Sequence, residues 1–271
     1  MKRQTLPGFR FTLVYTVLYL TLIVLIPLAV LAWKGSFVGW DKAKETLTDP
    51  QVLAALRLSF GAAFIAAIVN GVLGVLTAWA LVRYQFPGRR LVDALVDLPF
   101  ALPTAVAGIA LTSLYAHGGW LGHAFEKFGI KIAFTPIGVT LALVFVGFPF
   151  VVRTVQPVLQ DLSLDPEEAA ACLGANRWQT FWRVIFPALI PSTLTGMTLA
   201  FGRAVGEYGS VVFISGNLPM KTEIAPLLIV SRLDQYDYSG AAFLGLVLLI
   251  ASLAILALTH TFQWWHARLK A

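Results

Sequence analysis

Arg203 and Glu207 stand four residues apart in the run Phe201-Gly202-Arg203-Ala204-Val205-Gly206-Glu207-Tyr208-Gly209-Ser210. On a helix that spacing puts both charges on one face, and burying either alone in a bilayer would cost kilocalories. Two kinds of chemistry follow. The pair can neutralise itself, or it can form a polar patch beside a conduit for an anion, with Arg203 as the attractive charge. Bond-breaking chemistry finds no such support. The sequence holds no Gly-x-x-x-x-Gly-Lys-Ser/Thr phosphate loop, so the chain itself is not expected to hydrolyse ATP. It also lacks His-Glu-x-x-His, paired-Asp and nucleophile-elbow motifs. His117 and His123 have no fixed third ligand and read as surface polarity. Cys172 is the single cysteine, which excludes an internal disulfide framework or a multi-cysteine metal site. No catalytic, cofactor-binding or metal-ligating residue is expected in this chain.

A second constellation occupies the longest polar gap, from Asp165 to Pro191. Asp165 is placed to cap a helix, Pro166 suits its first position, and Glu168 stands where it closes a capping box. Gly174 ends that helix, since glycine takes the left-handed conformation cheaply. Asn176 and Gln179 repeat the box spacing and start a second helix, expected from about Arg177 to Phe186, where Pro187 stops it. The product is a helix, an elbow and a helix.

The elements around these groups are membrane-like. The 271 residues are 58% hydrophobic and 13% charged, against roughly 25% charged in soluble domains. The mean hydropathy is +0.78. The net charge of +6 is scattered between apolar runs, which marks loops and lipid headgroups and argues against nucleic acid. Six apolar runs follow in order. The first, about Phe11 to Trp33 behind Lys2, Arg3 and Arg10, reads as an uncleaved span. The second, about Leu58 to Val82, carries Gly61, Gly71, Gly74 and Asn70. Its small residues permit close helix approach, and Asn70 should face the bundle, either bonding across helices or lining a pathway. The third starts near Asp97, and Pro99 and Pro103 should kink or unwind it ahead of Thr104, a candidate pathway wall. The fourth runs about Thr135 to Val155, the fifth follows Pro187, and the sixth covers about Ser239 to Phe262. That last run would be roughly 36 Å long, enough to cross. Trp264 and Trp265 suit the interface, and Arg268 and Lys270 the inner side.

These runs predict an all-α membrane protein with six transmembrane helices and both termini cytoplasmic. Residues 1–57 form a tail, first span and outer loop, residues 58–262 a core with the coupling loop at about 160–187, and residues 263–271 a cytoplasmic tail. The basic residues favour the assigned inner side, with Arg83, Arg89, Arg90, Arg153, Arg177 and Arg183 among them, although Lys42 and Arg232 fall outside.

Glu168-Ala169-Ala170, Gly174 after three intervening residues, and Val184-x-Phe186-Pro187 after nine more resemble the EAA loop of ATP-binding-cassette importer permeases. Val184 and Phe186 replace the Ile and Leu usual in that pattern. The Arg203-to-Ser210 run is similar to one in sulfate, thiosulfate and molybdate importer permeases. With Ser215-Gly216-Asn217-Leu218-Pro219 and Asp234-Gln235-Tyr236-Asp237-Tyr238, the resemblance is nearest to the T-type permeases of sulfate/thiosulfate systems.

The resemblance implies the type I importer fold in a bacterial inner membrane. It implies a coupling helix that docks on a separate ATPase through Glu168, Ala169, Ala170, Gly174, Phe181 and Pro187. ATP and Mg would be bound by two copies of that ATP-binding subunit, closing as a rigid-body movement on the bundles. A second, W-type permease and a periplasmic sulfate/thiosulfate-binding protein would complete the assembly. Arg203, Glu207, Asn70, Pro99, Pro103 and Thr104 are the pathway candidates. Another oxyanion, molybdate or tungstate, is the alternative cargo. An ion-coupled secondary transporter is the alternative of another class, but it would need intramembrane carboxylates or a repeated broken helix.

Overall fold

The apolar runs fold as helices in the computed structural model, which describes residues 8–268. Lys2, Arg3 and Lys270 lie outside the described residues, as do the side chains of Trp264, Trp265 and Arg268. No strand occurs among the described residues. Helix α1 covers Phe9–Ser36 and α2 covers Trp40–Thr48. Helix α3 runs Pro50–Arg83, eight residues earlier than the apolar run suggests. Asp49 and Pro50 explain the earlier start: the Asp49 carboxylate accepts the Gln51 N–H at 2.8 Å, and proline fits the first turn. The charged connection before Leu58 is therefore largely helical.

Three short helices follow, α4 over Arg89–Val96, α5 over Leu98–Ala101 and α6 over Thr104–Tyr115. The third apolar run is thus two pieces. Leu102 and Pro103 are extended between them (ψ 137° and 131°), because proline pushes the residue before it out of the helical region. The break matches expectation, but it leaves no single helix of crossing length there. Helix α7 covers Trp120–Glu126 and α8 covers Pro136–Asp161. Beyond them lie α9 (Asp165–Cys172), α10 (Arg177–Val205), α11 (Val211–Ser215), α12 (Ala225–Asp234) and α13 (Tyr238–Arg268). Among the described residues, five helices are long and apolar enough to cross a membrane: α1, α3, α8, α10 and the Tyr238–Thr259 part of α13.

The core is the junction of α3, α8 and α10. Helix α3 buries Ala55, Ser59, Ala62, Ala66, Asn70, Gly74, Ala78 and Leu81, one narrow stripe of mostly small residues. That stripe lets helices approach to backbone range: a Cβ on Gly74 would fall 2.7 Å from the Val151 side chain of α8. Helix α1 lies outside this junction, and Gly35 near its end packs against Leu246 of α13.

Candidate coupling surface and pathway

Helix α9 and the start of α10 form the expected elbow, with one correction at its entrance. Asp165 does not cap α9, because it already lies within the helix. Leu164 holds the cap position without a side-chain bond, and its carbonyl accepts the Glu167 and Glu168 N–H groups at 2.9 and 3.0 Å. Asp165, Glu167 and Glu168 instead place negative charge in the first turn, where the helix dipole favours it. The exit is built as expected. Gly174 takes φ +81°, the Gly174 N–H donates to the Ala171 carbonyl, and the Ala175 N–H donates to the Ala170 carbonyl, both at 3.0 Å. This double closure satisfies carbonyls that the helix end would otherwise leave open. Asn176 and Gln179 then cap α10 reciprocally, at 2.8 and 2.9 Å.

Pro187 does not stop the second helix. A π-helical turn over Phe181–Ile185 precedes it, and α10 continues past Pro187 and Pro191 to Val205. A regular turn would drive the proline ring into the Arg183 carbonyl, and the wider turn relieves that clash. The second half of the elbow and the fifth apolar run are consequently one continuous helix, a single lever.

Besides the packing of α10 on α3, two side-chain contacts tie the elbow to α3. Arg83 pairs with Glu167 at 2.6 Å, and Trp79 meets Phe181 edge-on at 5.4 Å between ring centroids. Trp178, Trp182 and Phe186 extend the aromatic cluster. A groove of about 1020 Å³ runs beside it, lined by Trp79, Arg83, Glu167, Ala171, Phe181 and Met197. Glu168, Ala169 and Gly174 are exposed, while Ala170, Phe181 and Pro187 are half-buried. Leu173, at the turn, is 88% exposed and Trp178 is 70% exposed, so the elbow presents apolar side chains outward.

The pathway candidates divide into two places. Thr104, at the start of α6, touches the turn at Gly209, where an added Cβ would collide with its hydroxyl. The same turn holds Glu207, which is 1% exposed, pairs with Arg203, and accepts the Ser210 N–H at 3.0 Å and the Ser210 hydroxyl at 3.1 Å. Glu207 is thereby fully engaged, but the Arg203 side chain keeps 38% exposure. Pro99 lies on α5 and Pro103 in the break before α6. Asn70 lies elsewhere, inside the core against Gly147 and Ala200, and the expected bond across helices is not made.

Residues 70–270 match the family described as binding-protein-dependent transport system inner membrane component. The chain belongs to this family. It is therefore an inner membrane protein and a transport component rather than an enzyme. Among curated relatives it is similar to the sulfate transport system permease protein CysT of Synechocystis sp., with 52% identity over 94% of this chain and 89% of the relative. The CysT protein of Escherichia coli is 48% identical over 96% of this chain and 94% of its own length. In fold, the chain resembles a subunit of a bacterial alginate ABC transporter in complex with a pentasaccharide-bound periplasmic protein, at a TM-score of 0.75, 16% identity and coverage of 92% and 91%. A methionine ABC transporter chain matches at a TM-score of 0.58 and 16% identity, covering 78% of this chain and 94% of that one.

Two polar clusters of this inner membrane component were not visible as clusters in the sequence. Arg153 of α8 donates to both Asp97 oxygens at 2.7 and 2.6 Å, to Asp93 Oδ1 at 2.7 Å and to the Asp93 carbonyl at 2.8 Å. A fifth bond reaches Gln156 at 2.6 Å. This clamp ties α4 and the residue before α5 to α8, so it positions the broken segment. The four-residue spacing of Asp93 and Asp97 was the available signal, since it puts two carboxylates on one helical face. The second cluster lies where α2, α3, α12 and α13 meet. Lys42 pairs with Asp237 at 2.8 Å, Arg232 with Asp49 at 2.9 Å, and Gln51 donates to Glu223 at 2.6 Å. The Lys42 ammonium, bonded to Asp237, holds that carboxyl down to about 2, helped by the Gly240 N–H and the Ser239 hydroxyl. These partners are nearly 200 residues apart, and no local pattern announces them.

Proposed function

We propose that this chain is the transmembrane permease subunit of an ATP-driven importer that carries sulfate or thiosulfate across the bacterial inner membrane. The observation that carries this reading is the elbow of α9 and α10: an exposed, doubly closed helix joined rigidly to a long apolar lever. Relatives about half identical over nearly the whole chain carry the name of sulfate permeases, which supports the cargo.

In this reading α9 docks on a separate ATPase subunit, with Leu173 and Trp178 as its outward apolar contacts. Two such ATPases bind ATP and Mg and close on the permease pair. A second permease, of the W type, completes the pathway, and a periplasmic binding protein delivers the anion. The broken pair α5 and α6 serves as the sixth span, giving the type I importer topology with both termini cytoplasmic. Arg203 supplies a positive charge beside the pathway, held by Glu207 and steadied by the turn that Thr104 contacts. An anion moving past one partly neutralised arginine is attracted without being trapped.

The test is sulfate uptake into proteoliposomes holding this chain, its partner permease, the ATPase and the binding protein. ATP-dependent uptake that falls steeply on Gly174→Val is the expected result. Uptake by this chain alone, driven by an ion gradient and indifferent to that substitution, would refute the proposal and favour a secondary transporter.

A further inference from the structure

The groove beside the elbow has one polar end and one apolar end. The charged residues that line it, Arg83, Glu167 and Arg177, all stand at the last turn of α3 and around the elbow. From there it follows α3 past Leu76 and Val72 to Ile68, with Met197 of α10 opposite. Ile68 and Arg83 are about four turns apart on one helix, or about 22 Å at 1.5 Å per residue. Half of a bilayer, headgroups included, is roughly 20–22 Å thick. Exposed Tyr84, Trp178 and Trp182 line the polar end, residue types that settle at the level of lipid headgroups. The groove therefore reaches from one headgroup layer to about the middle of the membrane.

Its polar end has the charge of an open anion site. Two guanidinium groups and one carboxylate line it, a net charge of +1. Arg83 engages Glu167 through Nη2 at 2.6 Å and makes no other side-chain hydrogen bond among the described residues, so donors of its five-membered fork stay free. The guanidinium lies over the Trp79 ring, 5.8 Å from its centroid, where the apolar wall begins. Arg177 is exposed in the first turn of α10 and makes no ion pair among the described residues.

A second subunit that encloses the pathway approaches from another side. Arg203 lies six residues beyond Met197 on α10, and at about 100° per residue it is turned about 120° away from the groove. The groove is thereby left to the bilayer.

We propose that an anionic phospholipid of the inner leaflet occupies this groove, with its phosphate on Arg83 and Arg177 and one acyl chain laid along α3 over Val72 and Leu76. A basic pocket between helices at the headgroup level is the arrangement that selects such lipids. The lipid fills the open side of the joint between α3, α9 and α10. Its leaflet rests on the transporter reading above, in which the elbow is cytoplasmic, but the site does not depend on the cargo.

The test is photolabelling of the complete assembly in nanodiscs, using phosphatidylglycerol or phosphatidylcholine with a diazirine on one acyl chain. Phosphatidylglycerol should label the α3 and α10 peptides that hold Val72, Leu76 and Met197, several-fold above phosphatidylcholine. Val72 and Leu76 are 59% and 56% exposed, so Val72→Trp with Leu76→Trp fills the groove without entering the core. That double variant should remove the excess label at an unchanged melting temperature. Where it does not fold, the exposed Arg177 decides, since Arg177→Glu should lower the phosphatidylglycerol label roughly fivefold. Equal labelling by the two lipids overturns the proposal, as does labelling indifferent to the substitutions. Label on the chain alone that disappears in the complete assembly overturns it too, and gives the groove to the second permease. Photolabelling needs neither ATP nor sulfate, so a failure of uptake overturns the transport reading while the lipid site is decided by its own measurement.

Discussion

Substituting Gly174 isolates the geometry of the elbow from every other contribution. At φ +81° an L-residue pays about 1–2 kcal/mol for the left-handed conformation. No atom lies within 4 Å of the position a Cβ would take, so the cost is one of backbone and not of packing. Helix α9 has only 8 residues, far below the roughly 12–15 at which an isolated helix becomes marginal. Its orientation therefore depends on the closure at Gly174 and on the Arg83–Glu167 pair. A penalty of that size corresponds to a roughly 5- to 30-fold fall in the correctly bent population. Gly174→Asn should be mildest, because asparagine tolerates the left-handed region, Gly174→Ala intermediate, and Gly174→Val worst. ATP-driven uptake and the affinity of the permease pair for the ATPase should fall in that order, with the melting temperature of the membrane domain almost unchanged. Wild-type uptake by Gly174→Val would refute the reasoning, and so would equal loss in all three variants accompanied by general unfolding.

Three further outcomes follow from the ion pairs. Arg83→Gln and Glu167→Gln should each weaken uptake by removing a charged bond of about 1.5–3 kcal/mol, and the double variant should be no worse than either single one; additive losses would show that the pair does not act as a unit. Arg153→Lys should melt nearly as early as Arg153→Ala, by about 2 kcal/mol or more, since an ammonium cannot reproduce the fork that grips Asp93 and Asp97; a wild-type melting curve for Arg153→Lys would contradict this. Asp237, held down to about 2 from 3.8, contributes stability that is fully present above about pH 4 and is lost as the pH falls through 2. The melting-temperature gap between wild type and Asp237→Asn should accordingly be constant above about pH 4 and close toward pH 2, and a gap that persists at pH 2 would refute the assignment.

Local signals made much of this architecture legible. Apolar runs gave the long helices, Leu102-Pro103 gave the break, and Gly174 with the Asn176 and Gln179 box gave the elbow. The misreadings have local causes of their own. Asp165 looks like a cap, but the turn through Leu164 brings it into the helix one residue early. Pro187 looks like a stop, but a π-helical turn lets the chain pass it, and a turn of that kind leaves no compositional trace. Arg83 and Arg153 read only as inner positive charges, since their partners Glu167, Asp93 and Asp97 lie 56 to 84 residues away. Asn70 was read as a bonding or pathway residue, and its enclosure without a partner is a property of three helices at once.

Helix α3 is the element on which these features converge. At one end it holds Trp79 and Arg83, the two residues that meet the elbow. In its middle it carries Asn70, Gly71 and Gly74, at which α8 and α10 pack against it. At its other end Asp49 and Gln51 engage Arg232 and Glu223. A push on α9 reaches α3 directly through the Arg83–Glu167 pair, and by way of α10 through the contact of Phe181 with Trp79. Displacement of α3 would then pull on the Asp49 and Gln51 contacts, 34 residues of helix away, or about 50 Å at 1.5 Å per residue. The helix that meets the elbow is thus also a central member of the packed core, so a push at the elbow is taken up by a rigid, well-supported element.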